Sequence, residues 1–455
     1  MERLNFNGKQ VLVAGAKRSG LGAAELLRKL GASVRVMDAQ APPAEEQAKF
    51  DELGVSVVRQ SLENVRANGR DPDLIVLSPG VPVEEPTFDA ARKRGVPVTG
   101  EVELASCFLK GPVIGITGSN GKTTTTALTG HLLTACGIAC QVGGNIGTAV
   151  TSLVERSRED KWNVLELSSF QLETIKSFRA RIAACLNVTP DHLDRHRTID
   201  NYVAAKGRLF ETQVAGDFAV LNFDDENCRK YAYRTGAEVY WFSSLQPVPQ
   251  GVAIEGDQLL FCGEPFVSRS QIKLRGMHNV ENVMAAALIA HLAGAALNQL
   301  GPAVKTFPGV EHRMEFVRTV NGVEYYNDSK ATNVDAALKA IQSFPGNEWI
   351  ILGGKDKGSD YLPLRTPLKE RGKGALLIGA PAPYPHAAAP MIRKALHGIL
   401  PLVQCGTLAE AVRVARLRAE PGDVVLLAPA CASFDQFKNY EERGAAFKQL
   451  VAELF

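Results

Sequence analysis

The sequence lacks a charge bias of either sign: 51 Lys and Arg against 49 Asp and Glu leave a formal net charge of +2. That balance gives no electrostatic footprint for nucleic acid or for an anionic membrane surface, so neither is an expected partner. No apolar run approaches the ~20 residues that cross a bilayer, and the opening MERLNFNGKQ carries no apolar block of a secretion signal. No membrane span and a cytoplasmic location are therefore expected. Cysteine pairing is absent too. The eight cysteines are scattered, with no C-x-x-C and no disulfide-like spacing, which suits a reducing compartment and mostly buried thiols. There is no internal repeat or low-complexity tract; PAPYPHAAAP at 381–390 reads as a short loop.

What is present is size and alternation. With 455 residues, 45% hydrophobic and 22% charged, the chain can fill roughly three soluble domains with separate cores. Strand-like apolar runs alternate with helical patterns nearly throughout, which predicts parallel α/β sheets. The first unit is QVLVAGA, a glycine-containing turn, a helix over about 21–30, then SVRVMD, with DLIVLSPG at 73–80. A second series starts at Pro112 and includes NVLELSS, RIAACLNVT and DFAVLN. It closes with the helix NVENVMAAALIAHLAG, where Val283, Ala287 and Ala290 stack on one face. A third series starts near Val323 with VEYYND and continues through WIILGG, ALLIGA and DVVLLAPA. Boundaries fall near Gly100 and Gly309, and residues 223–275 read as short β pieces in an irregular insert.

The run TGSNGKTTT at 117–125 directly follows the apolar strand PVIGI. A tight, small-residue loop that ends in Lys and Thr and opens a helix is built to hold polyphosphate. Its backbone N–H groups face the anion, Lys122 adds a full charge, and the Thr123 hydroxyl can ligate Mg²⁺. Ile116 stands where the general pattern has its first glycine, so Gly118 and Gly121 supply the flexibility of a shorter loop. Glu166 ends the strand NVLELS; it could complete a Mg²⁺ shell, or be a capping or solvated carboxylate. NVTPDHLDRH at 187–196 packs Asp191, His192, Asp194 and His196 after another strand. It reads as a metal-facing segment or equally as a turn with capping Asp residues, and no further ligand completes a zinc site. Lys206 in YVAAKGRLF reads locally as a surface lysine.

Arg313 and Asp328 flank the first strand of the third series. They suit a cation near phosphate and a carboxylate near a ribose, or a surface ion pair. SKATN looks like a helix start capped by Ser329 or Thr332. The turn GAKRSG at 15–20 has the outline of a dinucleotide fingerprint, with Asp38 ending the next strand. Lys17 occupies its middle glycine position, which weakens a nicotinamide reading and leaves a diphosphate held partly by charge.

Taken together, several segments resemble the Mur ligases, the ATP-dependent amide-forming enzymes of peptidoglycan precursor assembly. They are TGSNGKT, GGNIG at 143–147, LELSSFQL at 165–172, NVTPDHLDRH and the Lys of YVAAKGRLF. GMHNVEN at 276–282, HR at 312–313, NDSKATN at 327–333 and APACASFDQFKNYEERG at 428–444 continue the likeness, which covers nearly the whole chain. NDSKATN and PACASFDQF are the runs that separate the branch adding D-glutamate from those adding L-alanine, a diamino acid or a dipeptide.

The resemblance implies an α/β protein of three domains. These are an N-terminal Rossmann-like parallel sheet for a UDP-sugar (1–100), a central P-loop ATPase-like domain for ATP (101–309), and a C-terminal Rossmann-like domain for the amino acid (310–455). It implies ligation of D-glutamate to UDP-N-acetylmuramoyl-L-alanine through an acyl phosphate, with ATP, one or two Mg²⁺ and a monomeric enzyme. Catalytic roles fall on Lys122, Lys206 and His192. Gly118, Ser119, Asn120, Gly121, Lys122, Thr123, Thr124, Asn145, Asn282, Arg313 and Asp328 would surround ATP. Thr123, Glu166, His192 and a Lys206 carbamylated by CO₂ would serve Mg²⁺, a role for Lys206 that its local sequence does not reveal. Ser78, Gly80, Asn145 and Ser168 would meet the UDP-sugar; Lys330, Thr332, Lys357, Ser433 and Phe434 would lie around D-glutamate. At Lys17, Ala39 and Gln40 the chain departs from the family pattern, so uridine contacts there do not carry over.

Overall fold

The structure is a computed structural model that describes residues 5–379 and 386–455; part of the expected 381–390 loop and the side chain of Asp194 lie outside the described residues. The alternation of apolar runs and helices resolves into three sheets. The first is fully parallel, in the order β3-β2-β1-β4-β5. Its strands are β1 (Gln10–Ala14), β2 (Ser33–Asp38), β3 (Ser56–Arg59), β4 (Leu74–Leu77) and β5 (Val98–Gly100). Both faces are covered by apolar clusters, which is why β1 reads as an unbroken hydrophobic run. The helix after β1 spans Arg18–Lys29, starting earlier than the expected 21 because the turn closes immediately beyond Ala14.

The second sheet has nine strands in the order β14-β13-β12-β11-β10-β9-β6-β8-β7. These are β6 (Val113–Thr117), β7 (Cys140–Gly144), β8 (Trp162–Glu166), β9 (Ile182–Cys185) and β10 (Phe218–Asn222), then β11 (Glu238–Ser243), β12 (Gly251–Glu255), β13 (Gln258–Phe261) and β14 (Glu264–Ser268). The stretch expected as an irregular insert thus extends the central sheet: β11 and β12 pair in parallel and β12 to β14 antiparallel. Its strands are partly exposed at the sheet's edge, so they lack the long apolar runs that betray a central strand. The helix Met277–Leu292 is also more deeply placed than expected. From Val283 to Ala290 every residue is buried, so the apolar surface runs all round it rather than along one face.

The third sheet runs β15-β16-β20-β17-β18-β19, parallel except for the β15–β16 hairpin. Its strands are β15 (Glu315–Val320), β16 (Val323–Asn327), β17 (Glu348–Gly353), β18 (Gly372–Ile378), β19 (Leu402–Gly406) and β20 (Val424–Leu427), with an apolar cluster on each face. Contacts divide the chain into two compact units, Met1–Arg269 with Glu281–Thr306, and Ser270–Val280 with Phe307–Phe455. The first unit holds two sheets and the second unit one. All eight cysteines are free thiols, but only Cys185, Cys228 and Cys431 are buried; Cys107 and Cys262 sit exposed at a helix end and a turn, against the expectation of mostly buried thiols. Among the described residues no helix is long and apolar enough to cross a membrane.

Candidate active site

The loop after β6 enters the helix Lys122–Ala135 through Gly121, whose φ of 85° is left-handed. A Cβ on Gly121 would come within 2.3 Å of Asn282 Oδ1, so both backbone and packing demand glycine here. The loop is tied down along its length. Ser119 N donates to Asn187 O and Asn120 N to Asn187 Oδ1 (2.9 and 2.8 Å), while Asn187 Nδ2 donates to Asn120 O at 3.1 Å. Ser119 Oγ bonds Thr189 O and the Tyr202 hydroxyl at 2.9 and 3.1 Å. Thr125 Oγ1 donates to Asn282 Oδ1 at 3.2 Å, which brings Asn282 against the loop. Asn187 opens the segment NVTPDHLDRH and Tyr202 opens YVAAKGRLF, but neither carries an expected role there, because their loop partners are 67 and 83 positions away.

Lys122 Nζ donates to Gly118 O and Ser119 O at 2.6 and 2.8 Å. Lys206 is the other cation of this loop. It lies on the helix Ile199–Glu211, is 1% exposed, and donates to the same Gly118 oxygen at 2.8 Å with its ammonium 4.5 Å from the Tyr202 ring centre. Burial, with Lys122 close by, pushes its pKa down to about 7. The surface-lysine reading is therefore overturned: Lys206 faces inward, and a large part of it is an uncharged amine at neutral pH.

Glu166 is buried at the end of β8, which overturns the reading as a solvated carboxylate. Its Oε1 accepts from Asn145 Nδ2 at 2.8 Å and its carbonyl from Asn145 N at 2.8 Å, while Oε2 is buried with no hydrogen-bond partner among the described residues. The two histidines after β9 differ in burial. His196 is buried, its Nε2 2.9 Å from Ser169 Oγ and its Nδ1 3.4 Å from Glu173, and burial lowers its pKa. His192 is about half exposed, in a left-handed backbone conformation, with its ring 4.9 Å from Phe170. Ser168 caps the helix Ser169–Leu172 in a reciprocal arrangement with Gln171.

A cleft of about 760 Å³ opens beyond the carboxyl ends of β1, β2 and β4, at the point where strand order reverses. Lys17, Arg18, Ser78, Gly80 and Asn145 are among its walls. Arg18 Nη2 reaches Asn145 O at 3.2 Å. A Cβ at Gly20 would stand 1.8 Å from Gly15 O, so that position takes glycine even with Lys17 in the middle of the turn. Asp38 is engaged with backbone: Oδ2 accepts from Ala16 N and Oδ1 from Gln40 N, at 2.7 and 2.9 Å. Those bonds tie the end of β2 to the turn after β1.

In the second unit, adjacent strands β16, β20 and β17 deliver three loops to one edge of the sheet. The loop after β17 pairs with that after β20 through Lys355 N to Ala432 O and Ala432 N to Lys355 O, at 2.9 and 3.2 Å. This sets Lys357 and Ser433 within two residues of one bridge. Ser433 is buried, Lys357 is exposed and Phe434 is 64% exposed. Lys330 Nζ lies 5.5 Å from the Tyr440 ring centre. The expected caps are corrected: Asn333 caps the following helix by accepting from Ala336 N at 2.8 Å, Ser329 is buried, and Thr332 N folds back on Lys330 O. Nor are Arg313 and Asp328 a surface pair. Asp328 is buried, its pKa raised by burial against the pull of Arg313, whose Nη1 stands 4.0 Å away.

Three family descriptions match in chain order: the MurD-like N-terminal domain of Mur ligases over residues 9–100, the Mur ligase middle domain over 116–290, and the Mur ligase glutamate ligase domain over 312–431. The UDP-N-acetylmuramoylalanine–D-glutamate ligases of Solibacter usitatus and Acidobacterium capsulatum are 55% and 49% identical over 98% of this chain, with 98% and 97% of their own lengths covered. Among solved structures, UDP-N-acetylmuramate-alanine ligase MurC and MurF ligase in complex with ADP, both from Thermotoga maritima, give TM-scores of 0.62 and 0.59. At 18% and 16% identity, over 98% of this chain and 99% and 96% of theirs, they share its fold. The chain belongs to the Mur ligase family, in its UDP-N-acetylmuramoylalanine–D-glutamate ligase branch.

Proposed function

We propose that this chain joins the L-alanyl carboxylate of UDP-N-acetylmuramoyl-L-alanine to the amine of D-glutamate, with ATP converted to ADP and phosphate. A carboxylate is a poor electrophile. Transfer of the γ-phosphoryl group to its oxygen makes an acyl phosphate; the amine nitrogen then attacks the acyl carbon, a proton leaves the nitrogen, and the bond to phosphate breaks. Anions crowd together throughout, so positioned cations and aligned donors are the main requirement. The observation that carries this reading is the convergence of Lys122 and Lys206 on one carbonyl oxygen of a glycine-turned loop, at the N-terminus of a 14-residue helix.

In this reading residues 1–100 hold the UDP-sugar, 101–309 hold ATP and 310–455 hold D-glutamate. Ser78, Gly80, Asn145 and Ser168 meet the sugar nucleotide, and Lys17 and Arg18 supply charge for its diphosphate. Lys122 and the loop amides from Gly118 to Thr124 hold the ATP phosphates; Asn282, Arg313 and Asp328 orient the rest of the nucleotide. Lys330, Thr332, Lys357 and Ser433, with Phe434, offer D-glutamate the cations and hydroxyls that a dicarboxylate requires.

The residues present fit a divalent cation, because Glu166 Oε2 is a buried hard oxygen without a protein partner. Thr123, Glu166 and His192 would hold Mg²⁺, joined by Lys206 once its neutral Nζ has added CO₂, lost a proton and become a carbamate. When bound, the ion neutralises charge on the phosphoryl oxygens. The enzyme acts as a monomer in the cytoplasm.

Phosphate release with ATP, magnesium and UDP-N-acetylmuramoyl-L-alanine tests the reading against D-glutamate, L-glutamate, L-alanine and meso-diaminopimelate in turn. Release that depends on D-glutamate alone is expected. Equal release with any of the others, or none at all, overturns it.

A further inference from the structure

Arg443 is the bulkiest fully buried side chain among the described residues, 1% exposed within the helix Tyr440–Ala452. Its Nε donates to Ser329 Oγ at 2.9 Å, and Nη2 donates to Ser329 O at 2.8 Å and Cys431 O at 3.2 Å. Nη1 also reaches Cys431 O, at 3.3 Å. Ser329 Oγ in turn donates to Tyr440 O at 2.8 Å. Among the described residues no carboxylate is in ion-pair contact with this guanidinium; it is bound by one hydroxyl and two carbonyl oxygens. Burial pushes its pKa down to about 10, so it remains a cation at neutral pH.

For stability alone this is a poor choice of side chain. A buried charge outside ion-pair contact carries a desolvation cost that an apolar residue of similar volume avoids, even with the Asp435 carboxylate near enough to favour the cation. What the guanidinium does supply is a rigid fork that joins two chain segments far apart in sequence. One is Ser329, followed at once by Lys330 and Thr332; the other is Cys431, two residues before Ser433. Cys431 follows Ala430, a non-glycine residue at a φ of 58°, so this second loop has a backbone strained enough to need holding.

We infer that Arg443 is a positioning residue for the acidic amino acid: it clamps the loops after β16 and β20 in one register and places a full positive charge behind a dicarboxylate site. The inference rests on the D-glutamate ligase reading above. Arg443 touches neither substrate in this account; it acts through Lys330, Thr332 and Ser433.

The test is steady-state kinetics of Arg443→Lys, Arg443→Met and Ser329→Ala beside the wild-type chain, with folding checked by thermal melts. Arg443→Met is expected to raise the apparent KM for D-glutamate tenfold or more while the KM for ATP stays within twofold. Arg443→Lys keeps the charge without the fork and should recover part of that loss. Ser329→Ala removes one acceptor and should raise the D-glutamate KM about threefold, which keeps the test open if Arg443→Met does not fold. Parallel rises in both KM values, or lower melting temperatures with an unchanged D-glutamate KM, overturn the inference alone. A wild-type chain without D-glutamate-dependent phosphate release overturns the functional reading and this inference together.

Discussion

Lys206 and Lys122 share the Gly118 carbonyl oxygen, yet Lys206 is buried and Lys122 only half-buried. Lys206 is the more deeply buried, and its pKa of about 7 makes its amine a nucleophile where an ordinary lysine is nearly all protonated. Carbon dioxide reacts only with the unprotonated amine, so the direction of the pH effect follows. Carbon-13 bicarbonate should give a carbamate resonance at pH 8.5 that weakens at pH 6 and is missing from Lys206→Arg. No resonance at either pH sinks the proposed modification. The same shift bears on stability. An unfolded chain keeps this proton to about 10.5 and the folded one releases it near 7, so this group's contribution rises with pH between those values.

At the scale of elements, the loop after β6, proposed to hold phosphate, is tied to its neighbour after β9. Asn187 accepts from Asn120 N and donates to Asn120 O, a two-way latch between adjacent loops. Each such bond contributes about 0.5–1.5 kcal/mol net. Asn187→Ala should therefore raise the KM for ATP roughly fivefold to tenfold, with little change in that for D-glutamate. An unchanged KM for ATP would show that the loop holds its form without the latch.

The latch also explains what could and could not be read in advance. The strands β6, β8 and β9 are rich in apolar residues, and the loop between β6 and its helix declares itself by Gly, Lys and Thr. Those elements were legible because burial on both faces and the chemistry of a turn leave local marks. The edge elements were legible only in part: 223–275 reads as short β pieces but not as an extension of the central sheet, and β15 leaves no mark. In β15 Phe316 points to solvent and the strand alternates weakly, and in β11 to β14 partial exposure dilutes the pattern. Lys206 was illegible for a different reason: its environment is made by Gly118, 88 positions away, and by Tyr202 one helical turn before it. Local sequence read it as a surface residue, and only the resemblance to a family pointed elsewhere. Arg443 falls in APACASFDQFKNYEERG with no expected role, since one partner, Ser329, lies 114 positions away and the other, Cys431, contributes only a backbone carbonyl.

On the scale of the whole molecule, the second unit carries an acid far from its ligand edge. Glu348 opens β17, a strand length before Gly353, and among the described residues neither of its oxygens has a hydrogen-bond partner. Burial raises its pKa to about 8, with Arg371 pulling the other way. An unfolded chain releases this proton near 4.5, whereas the folded one keeps it to about 8. Between those values the unfolded state binds fewer protons, so stability falls as pH rises and levels off above the window. Glu348→Gln should flatten that decline in urea midpoints measured from pH 5 to pH 8. A wild-type midpoint with the same pH slope as the variant would contradict it.

The bond from Arg18 to Asn145 has a wider consequence, because Asn145 also holds Glu166 through both its amides. In the proposed function the cleft seats one reactant and Glu166 serves the other, and the two would then grip the same asparagine. Any displacement of that residue on filling one seat alters the energy of filling the second, and thermodynamic linkage makes the two influences equal. Titration calorimetry should then report one cooperativity factor whichever ligand is added first, and Asn145→Ala should bring that factor toward unity.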